Sequence, residues 1–371
     1  MKLNRRGASL LAAAASALLL TACGSNPGAA PGGAPSTGGQ AAPAGNCSGK
    51  ATVTGEGSSA QNNAMAVFIQ AYQQACDGFN VAYNPTGSGA GVKQFTAGLV
   101  DFGGSDSYLK PEEEGPAASR CAGNPAWNLP LVFGPVAIAY KVSGVDNLVL
   151  DAPTIAKIFS GGIKTWNDPA IAAKNPGAQL PATPITVLYR SDDSGTTDNF
   201  QNYLTIASKG AWTKGAGKKF NGGVGEGRQG SAGVAQGVSQ GDGAITYAEY
   251  SYARDNNLSI AKIDNGSGPV ELNPTTTAAA VANAQFQGEG QDLKLNINSI
   301  FGASQPGVYP LVLATYEIVC SKGYAPDVST ALKKFLTVAL TDGQGKLADA
   351  GYVQLPDSFK SKVLVSIQDI S

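Results

Sequence analysis

The sequence predicts an α/β protein of two lobes, each a doubly wound sheet, joined by two crossover strands. Three observations predict it. A β-branched or apolar run passes through a Gly/Ser-rich turn into a helix-like segment at 50–72, at 79–99 and again at 185–206, and such alternation builds parallel sheets. The first two of these units fall early in the chain and the third much later, which spreads a shared site over two lobes. Two long apolar runs, 129–140 and 309–320, stand where the chain would cross between them.

Composition narrows the chemistry. The 371 residues carry a formal net charge of −1, so no basic field points to nucleic acid. There is no histidine, which removes Ser-His-Asp and Cys-His catalysis and imidazole metal sites together. Binding needs none of these.

Residues 1–22 read as a targeting segment. Lys2, Arg5 and Arg6 supply the positive start, and the apolar stretch 8–20 is too short to span a bilayer. The ending Leu20-Thr21-Ala22-Cys23 resembles a bacterial lipobox, which implies export, cleavage before Cys23 and lipid on Cys23. Residues 23–46 are rich in Gly, Pro, Ala, Ser and Thr with no large apolar side chain, a composition expected of a flexible tether. Beyond it lie Cys47, Cys76, Cys121 and Cys320. Export favours disulfides, and of the three possible pairings Cys47–Cys76 with Cys121–Cys320 is expected. Cys47 precedes the first strand and Cys76 ends the helix returning beside it; adjacent crossing strands would bring the other two within reach.

The first strand, 50–54, opens into Gly55-Glu56-Gly57-Ser58-Ser59-Ala60 and a helix with Met65, Phe68, Ile69 and Tyr72 inward. This turn also fits the dinucleotide pattern Gly-x-Gly-x-x-Ala. That pattern needs an acid at the end of the second strand, where Asn84-Pro85 stands instead. The second unit runs through Thr86-Gly87-Ser88-Gly89-Ala90-Gly91, with Ser88 expected as N-cap and Lys93 solvated. It lacks the Walker A spacing. A short strand, 100–105, then delivers Asp106 from a Gly-rich turn.

The most informative stretch is Arg190-Ser191-Asp192-Asp193-Ser194-Gly195-Thr196-Thr197. It sits where a strand becomes a helix, and free N–H groups and the helix dipole favour an anion there. Arg190 adds a planar fork suited to two oxygens of an oxyanion. A carboxylate such as Asp106 beside an anion repels it unless the ligand brings a proton to share. A buried acceptor with nothing to accept costs ~1–3 kcal/mol, so Asp106 would favour hydrogen phosphate over fully ionised sulfate.

Between the two apolar runs, 153–159 reads as a helix, 166–169 as a turn and 244–247 as a strand followed by helix to 256. Ser231 is expected to cap a helix reaching 240, Arg228 to face solvent, and Glu56 to point away from the anion. Residues 326–340, 345–350 and 356–370 read as closing helices.

Taken together, Thr54-Gly55-Glu56-Gly57-Ser58-Ser59, Thr86-Gly87-Ser88-Gly89-Ala90-Gly91-Val92-Lys93-Gln94, Asp101-Phe102-Gly103-Gly104-Ser105-Asp106 and Arg190-Ser191-Asp192-Asp193-Ser194-Gly195-Thr196 resemble the four binding segments of the phosphate-binding proteins of phosphate ABC transporters. Leu150-Asp151-Ala152-Pro153, Trp166-Asn167-Asp168 and Gly243-Ala244-Ile245-Thr246-Tyr247-Ala248-Glu249-Tyr250 fit the same order. The resemblance implies a type II periplasmic-binding-protein fold, with 47–135 and 310–371 as lobe I and 136–309 as lobe II. It implies inorganic phosphate bound by Ser59, Ala60, Ser88, Asp106, Arg190, Asp192, Ser194, Gly195 and Thr196. Asp106 takes the phosphate proton, Asp192 holds Arg190, and hydroxyls and N–H groups complete the cage. Ser59 stands where Thr is common, and Ala60 where a larger apolar residue is common. The implied role is delivery to transmembrane permease subunits from the outer face of the bacterial cytoplasmic membrane, by a monomer without catalysis, cofactor or metal. The rival readings are a receptor for another oxyanion or an organic phosphate, and a phosphatase, for which Ser88 and Ser194 lack an evident base.

Overall fold

A computed structural model describes residues 47–371. The targeting segment, Cys23 and the tether to residue 46 lie outside the described residues. Strand β1 (Thr52–Gly57) leads into helix α1 (Asn62–Ala75), and β2 (Asn80–Asn84) into α2 (Ser88–Thr96). Next come β3 (Phe102–Ser105) and α3 (Pro111–Arg120), whose Pro at the first turn needs no N–H partner. β1 runs parallel to both β2 and β3, so the turns that follow these strands leave the same edge of the sheet. α2 begins at Ser88 with Gly87 in the cap position at φ 112°, so Ser88 is the first helical residue rather than the expected cap. Only glycine takes that φ without strain, and a Cβ there would also lie 2.5 Å from Asp192.

The long strand β4 (Ala126–Lys141) is buried over nearly its whole length. It reads as a continuous apolar run because both its faces are covered. β5 (Val149–Asp151), α4 (Ala152–Phe159) and α5 (Pro169–Ala172) follow, the two helices capped by Asp151 and Asp168. Then come β6 (Thr186–Arg190), α6 (Gly195–Ala207), β7 (Glu226–Arg228), α7 (Gly230–Gln240) and β8 (Ala244–Glu249). β6 is parallel to both β7 and β8, repeating the arrangement of the first half. β8 runs on to Glu249, so the helix expected from 248 is only α8 (Tyr250–Asp255). α7 starts at Gly230 with Gln229 in the cap position, which puts Ser231 inside the first turn rather than at the cap.

β9 (Ser259–Ile260) pairs with β4, while β10 (Lys262–Asp264) and β11 (Pro269–Val270) join β5 in a small separate sheet. α9 (Pro274–Ala282) and α10 (Asn298–Phe301) precede β12 (Val312–Cys320). The chain closes with α11 (Pro326–Val338) and α12 (Asp357–Asp369). Between them the expected helix at 345–350 is a single 3₁₀ turn, Gln344–Lys346, followed by turns.

The main sheet runs β2-β1-β3-β12-β4-β8-β6-β7. β4 is its pivot. Residues 126–135 pair antiparallel with β12, and residues 136–141 pair antiparallel with β8. β12 pairs only with β3 and the first part of β4. The apolar run at 309–320 is therefore not a second strand spanning both halves. The chain passes between halves just before it, where Tyr309 donates its hydroxyl to the Val136 carbonyl. One apolar cluster runs from Phe68 and Phe102 through Phe133 and Ile138 to Phe159, Phe200 and Tyr247. Two disulfides are present. Cys47–Cys76 ties the start of the described chain to the end of α1, and Cys121–Cys320 ties α3 to the end of β12.

Candidate functional site

The carboxyl ends of the two parallel triplets, β1-β2-β3 and β6-β7-β8, face one another across the β12–β4 pair. Ligand crevices of open α/β sheets form at such ends. From the first half come Ser58, Ser59 and Ala60 after β1, Ser88 opening α2, and Asp106 after β3. From the second come Arg190 at the end of β6, Asp192, and Ser194 to Thr196 at the start of α6.

Asp106 is buried, and hydroxyls surround it. Its Oδ1 accepts from Ser58 at 2.5 Å and from Thr315 at 2.8 Å, and its Oδ2 accepts from Ser88 at 3.2 Å. Its N–H donates to Ser88 Oγ, and its carbonyl accepts from Asn199 on α6 at 2.7 Å. Burial pushes the Asp106 carboxyl up to about 6, with the negative charge of Glu249 adding to the rise. The Ser58 and Thr315 bonds and the Arg190 charge hold back a larger shift.

Arg190 is 2 % exposed. Its Nε and NH2 meet the two Asp192 oxygens at 2.8 and 2.5 Å, a bidentate pair. NH1 donates to Ser231 Oγ at 3.1 Å and to Thr196 Oγ1 at 3.3 Å. Burial works to raise the Asp192 carboxyl, but the guanidinium outweighs it and holds the group below its ordinary range. Asp192 also accepts from the Gly230 N–H.

α6 carries Ser194 as its N-cap, with Oγ accepting from Thr197 N–H. Gly195 and Thr196 contribute first-turn N–H groups, which have no intrahelical acceptor. At Gly195 the two halves approach closely. A Cβ there would lie 2.5 Å from Ser88 Oγ and 2.7 Å from Asp106 Oδ2. Ser59 is held across the cleft: Ser231 N–H donates to its Oγ, the two hydroxyls lie 3.0 Å apart, and Tyr252 donates to its carbonyl. Further ties are Gly89 N–H to the Asp193 carbonyl and Ser107 to Asp198.

Three carboxylates, the buried Asp106 and Glu249 and the nearly covered side chain of Asp192, stand around one guanidinium. Any attraction for an anion therefore rests on helix N-termini and aimed hydrogen bonds more than on net charge. Among the described residues no group of three or more His, Cys, Asp and Glu side chains is arranged to hold a metal ion.

The chain matches the family model for the PBP superfamily domain over residues 36–342. It is 48% identical over 373 residues to the phosphate-binding protein PstS 3 of Mycobacterium tuberculosis (strain ATCC 25618 / H37Rv), covering all of both chains. It is 32% identical to the phosphate-binding protein PstS of Pasteurella multocida (strain Pm70), over 84% of this chain and 88% of that one. The chain belongs to the phosphate-binding proteins of the PBP superfamily. This membership agrees with the fold. A solved high-affinity periplasmic phosphate-binding protein with phosphate bound superposes with a TM-score of 0.68 at 23% identity, covering 85% of this chain and 93% of that one. The phosphate-binding protein from Stenotrophomonas maltophilia gives 0.64 at 20% identity, over 85% and 94%.

The structure brings the nine residues singled out from sequence close together at the strand ends, and their bonding differs in detail from the expectation. Thr196 Oγ1 donates to Glu249 at 2.5 Å, and the Ala60 N–H donates to Ser58 Oγ. Lys93 and Arg228 are exposed. Glu56 accepts from Thr86 at 2.7 Å, outside the Asp106–Arg190 cluster. Sequence reasoning missed Ser58, Ser231, Glu249 and Thr315. Ser231 carried a readable signal, since it follows a glycine between a strand and a helix as Ser58 and Ser88 do. Thr315, with Glu317, interrupts an apolar run. Glu249 carried none: only the sheet order shows that the end of β8 lies beside α6.

Proposed function

We propose that this protein captures inorganic phosphate outside the cytoplasmic membrane and passes it to an ABC-type permease. One observation carries the reading. Asp106, a buried acceptor, and Arg190, a guanidinium pre-set by Asp192, converge on the N-terminus of α6. An anion that also donates a proton satisfies both groups, and hydrogen phosphate is such an anion. In this scheme Asp106 accepts the phosphate proton and Arg190 NH1 meets phosphate oxygens. Ser59, Ser88, Ser194 and Thr196 turn hydroxyls to the ligand, while the N–H groups of Ser59, Ala60, Gly195 and Thr196 complete the cage. Asp192 orients Arg190 and needs no contact of its own.

The two lobes are proposed as 47–135 with 310–371, and 136–309. The pairing switch within β4 supports a hinge there, and phosphate touching both lobes would favour closure. Lipid on Cys23 and a tether through residue 46 would hold a monomeric receptor at the outer membrane face. No helix among the described residues is long and apolar enough to cross a membrane. The role is binding rather than turnover.

Calorimetric titration of the ligand-stripped protein tests this reading. Tight one-to-one phosphate binding with no sulfate response is expected. A folded, ligand-free protein that ignores phosphate would sink it.

A further inference from the structure

Glu317 lies in the middle of β12, opposite Gly104 of β3 and Leu129 of β4. It is fully buried, and neither carboxyl oxygen has a hydrogen-bond partner. Facing it is the side chain of Gln61, at the N-cap of α1, whose own carbonyl Oε1 is also buried and unpartnered. An ionised carboxylate left unpaired in such a place costs far more than a neutral acid. Two adjacent orphan acceptors have a simple resolution: one proton on the carboxyl makes it a donor, and the amide oxygen receives it.

Gln61 sits immediately after the Ser58–Ser59–Ala60 turn. Its Nε2 donates to Tyr83 OH at 3.1 Å, Tyr83 OH donates to the Ser58 carbonyl at 2.8 Å, and Ser58 Oγ donates to Asp106 at 2.5 Å. A contiguous hydrogen-bonded route thus leads from the amide beside Glu317 to the carboxylate at the candidate anion site. Gly104 makes room for it: a Cβ there would lie 2.4 Å from Tyr83 OH and 2.5 Å from Gln61 Nε2.

We propose that Glu317 is a positioning residue held as a neutral carboxylic acid, whose O–H is donated to Gln61 Oε1 and so fixes the Ser58–Ser59–Ala60 turn against Asp106. This role deepens the phosphate-receptor reading and rests on it. The polar groups facing Glu317 are Gln61 from α1, Tyr83 from β2 and Asp106 beyond β3, and none is a cation. Burial pushes the Glu317 carboxyl up to about 8; the Gln61 side chain works against the rise and the negative charge of Asp106 adds to it. Above that range an ionised Glu317 no longer donates to Gln61 and repels Asp106, which loosens the turn.

The test compares wild type with Glu317→Gln by phosphate calorimetry from pH 6.5 to 9.5. Ionisation of free phosphate is common to both proteins and cancels in the comparison, and Asp106, raised only to about 6, is largely ionised above pH 7. Near wild-type affinity is expected for Glu317→Gln at pH 7. The wild type is expected to lose about tenfold more affinity than the variant toward pH 9.5, as the positioning proton leaves. Parallel profiles overturn the proposal, because a merely structural side chain leaves the pH dependence unmoved. Should the variant fail to fold, the ¹³C shift of the Glu317 carboxyl in the wild type decides. The shift of a neutral acid at pH 7 supports the proposal, and that of a carboxylate overturns it. A wild type that binds no phosphate at pH 7 overturns the receptor reading and the positioning role with it. The carboxyl shift still reads the proton independently.

Discussion

At Arg190 the site depends on two fixed N–H···O bonds to Asp192, and the geometry of the fork is what a lysine lacks. Arg190→Lys keeps the charge but replaces the two-bond fork to Asp192 with a single ammonium donor. With ~1.5–3 kcal/mol for a hydrogen bond to a charged group, phosphate affinity is expected to fall about 10–100-fold by calorimetry. Arg190→Ala is expected to fare worse, because Asp192 is then buried without its cation, a loss of ~3–5 kcal/mol that also lowers the melting temperature. Asp106→Asn is expected to relax discrimination, since an amide donates to the fully ionised oxyanion that a carboxylate repels. Unchanged phosphate-over-sulfate preference in that variant would remove Asp106 as the selector. At Gly195 a methyl has no room beside Ser88 and Asp106. Gly195→Ala is therefore expected to cost ~1–3 kcal/mol of stability through forced displacement, read by thermal melting.

At the scale of elements, the two disulfides do different work. Cys121–Cys320 closes a sequence separation of 199 and fastens α3 to the central strand β12, whereas Cys47–Cys76 closes only 29. In the chain-entropy account these stabilise by ~5 and ~3–4 kcal/mol respectively. Replacing Cys121 and Cys320 by serine together is expected to lower the calorimetric melting temperature more than the same change at Cys47 and Cys76. Equal losses would show that packing, not loop closure, sets their value. The order β12 beside both β3 and β4 also explains how Thr315 reaches Asp106: a strand far along the chain is threaded between two early ones.

Across the whole molecule, buried acids and paired acids pull stability in opposite directions with pH. Asp106 and Glu317 have raised carboxyls, to about 6 and about 8 from ordinary values of 3.8 and 4.5. Their contribution is fully present below those ordinary values and is lost as pH rises through the raised ones. Asp151, Asp192 and Asp264 are held low: burial opposes this most at Asp151 and Asp192 and less at Asp264, where the Gly266 N–H leads, while hydrogen bonds and cationic partners prevail at all three. Their contribution is present above 3.8 and is lost as pH falls further. The phosphate-free protein is therefore expected to melt highest near pH 4 and to weaken as pH rises from there to about 8. Glu317→Gln should flatten that alkaline decline, and a decline of equal slope in the variant would assign it to other groups. Added phosphate should raise the melting temperature by mass action at every pH where it binds.

Much of the site was legible because its chemistry is local. A strand that ends in Gly and Ser and restarts as a helix exposes N–H groups wherever it occurs, so the turns at 55–60, 86–91 and 190–197 could be marked without knowing what surrounds them. The motifs carried the pairing of Arg190 with Asp192, and the absence of histidine narrowed the chemistry from composition alone. Cap assignments at Ser88 and Ser231 missed by one or two residues. Glycine at positive φ took the cap of α2, and the backbone turn at Gln229–Gly230 took that of α7. Tertiary structure alone decided which groups share a dielectric environment. The Glu249 contact with Thr196, the Ser231 clasp on Ser59 and the burial of Glu317 against Gln61 all arise from strand order. Strand order is set by long-range packing that no short stretch of sequence records, and charge state follows from it because desolvation depends on what closes over a side chain.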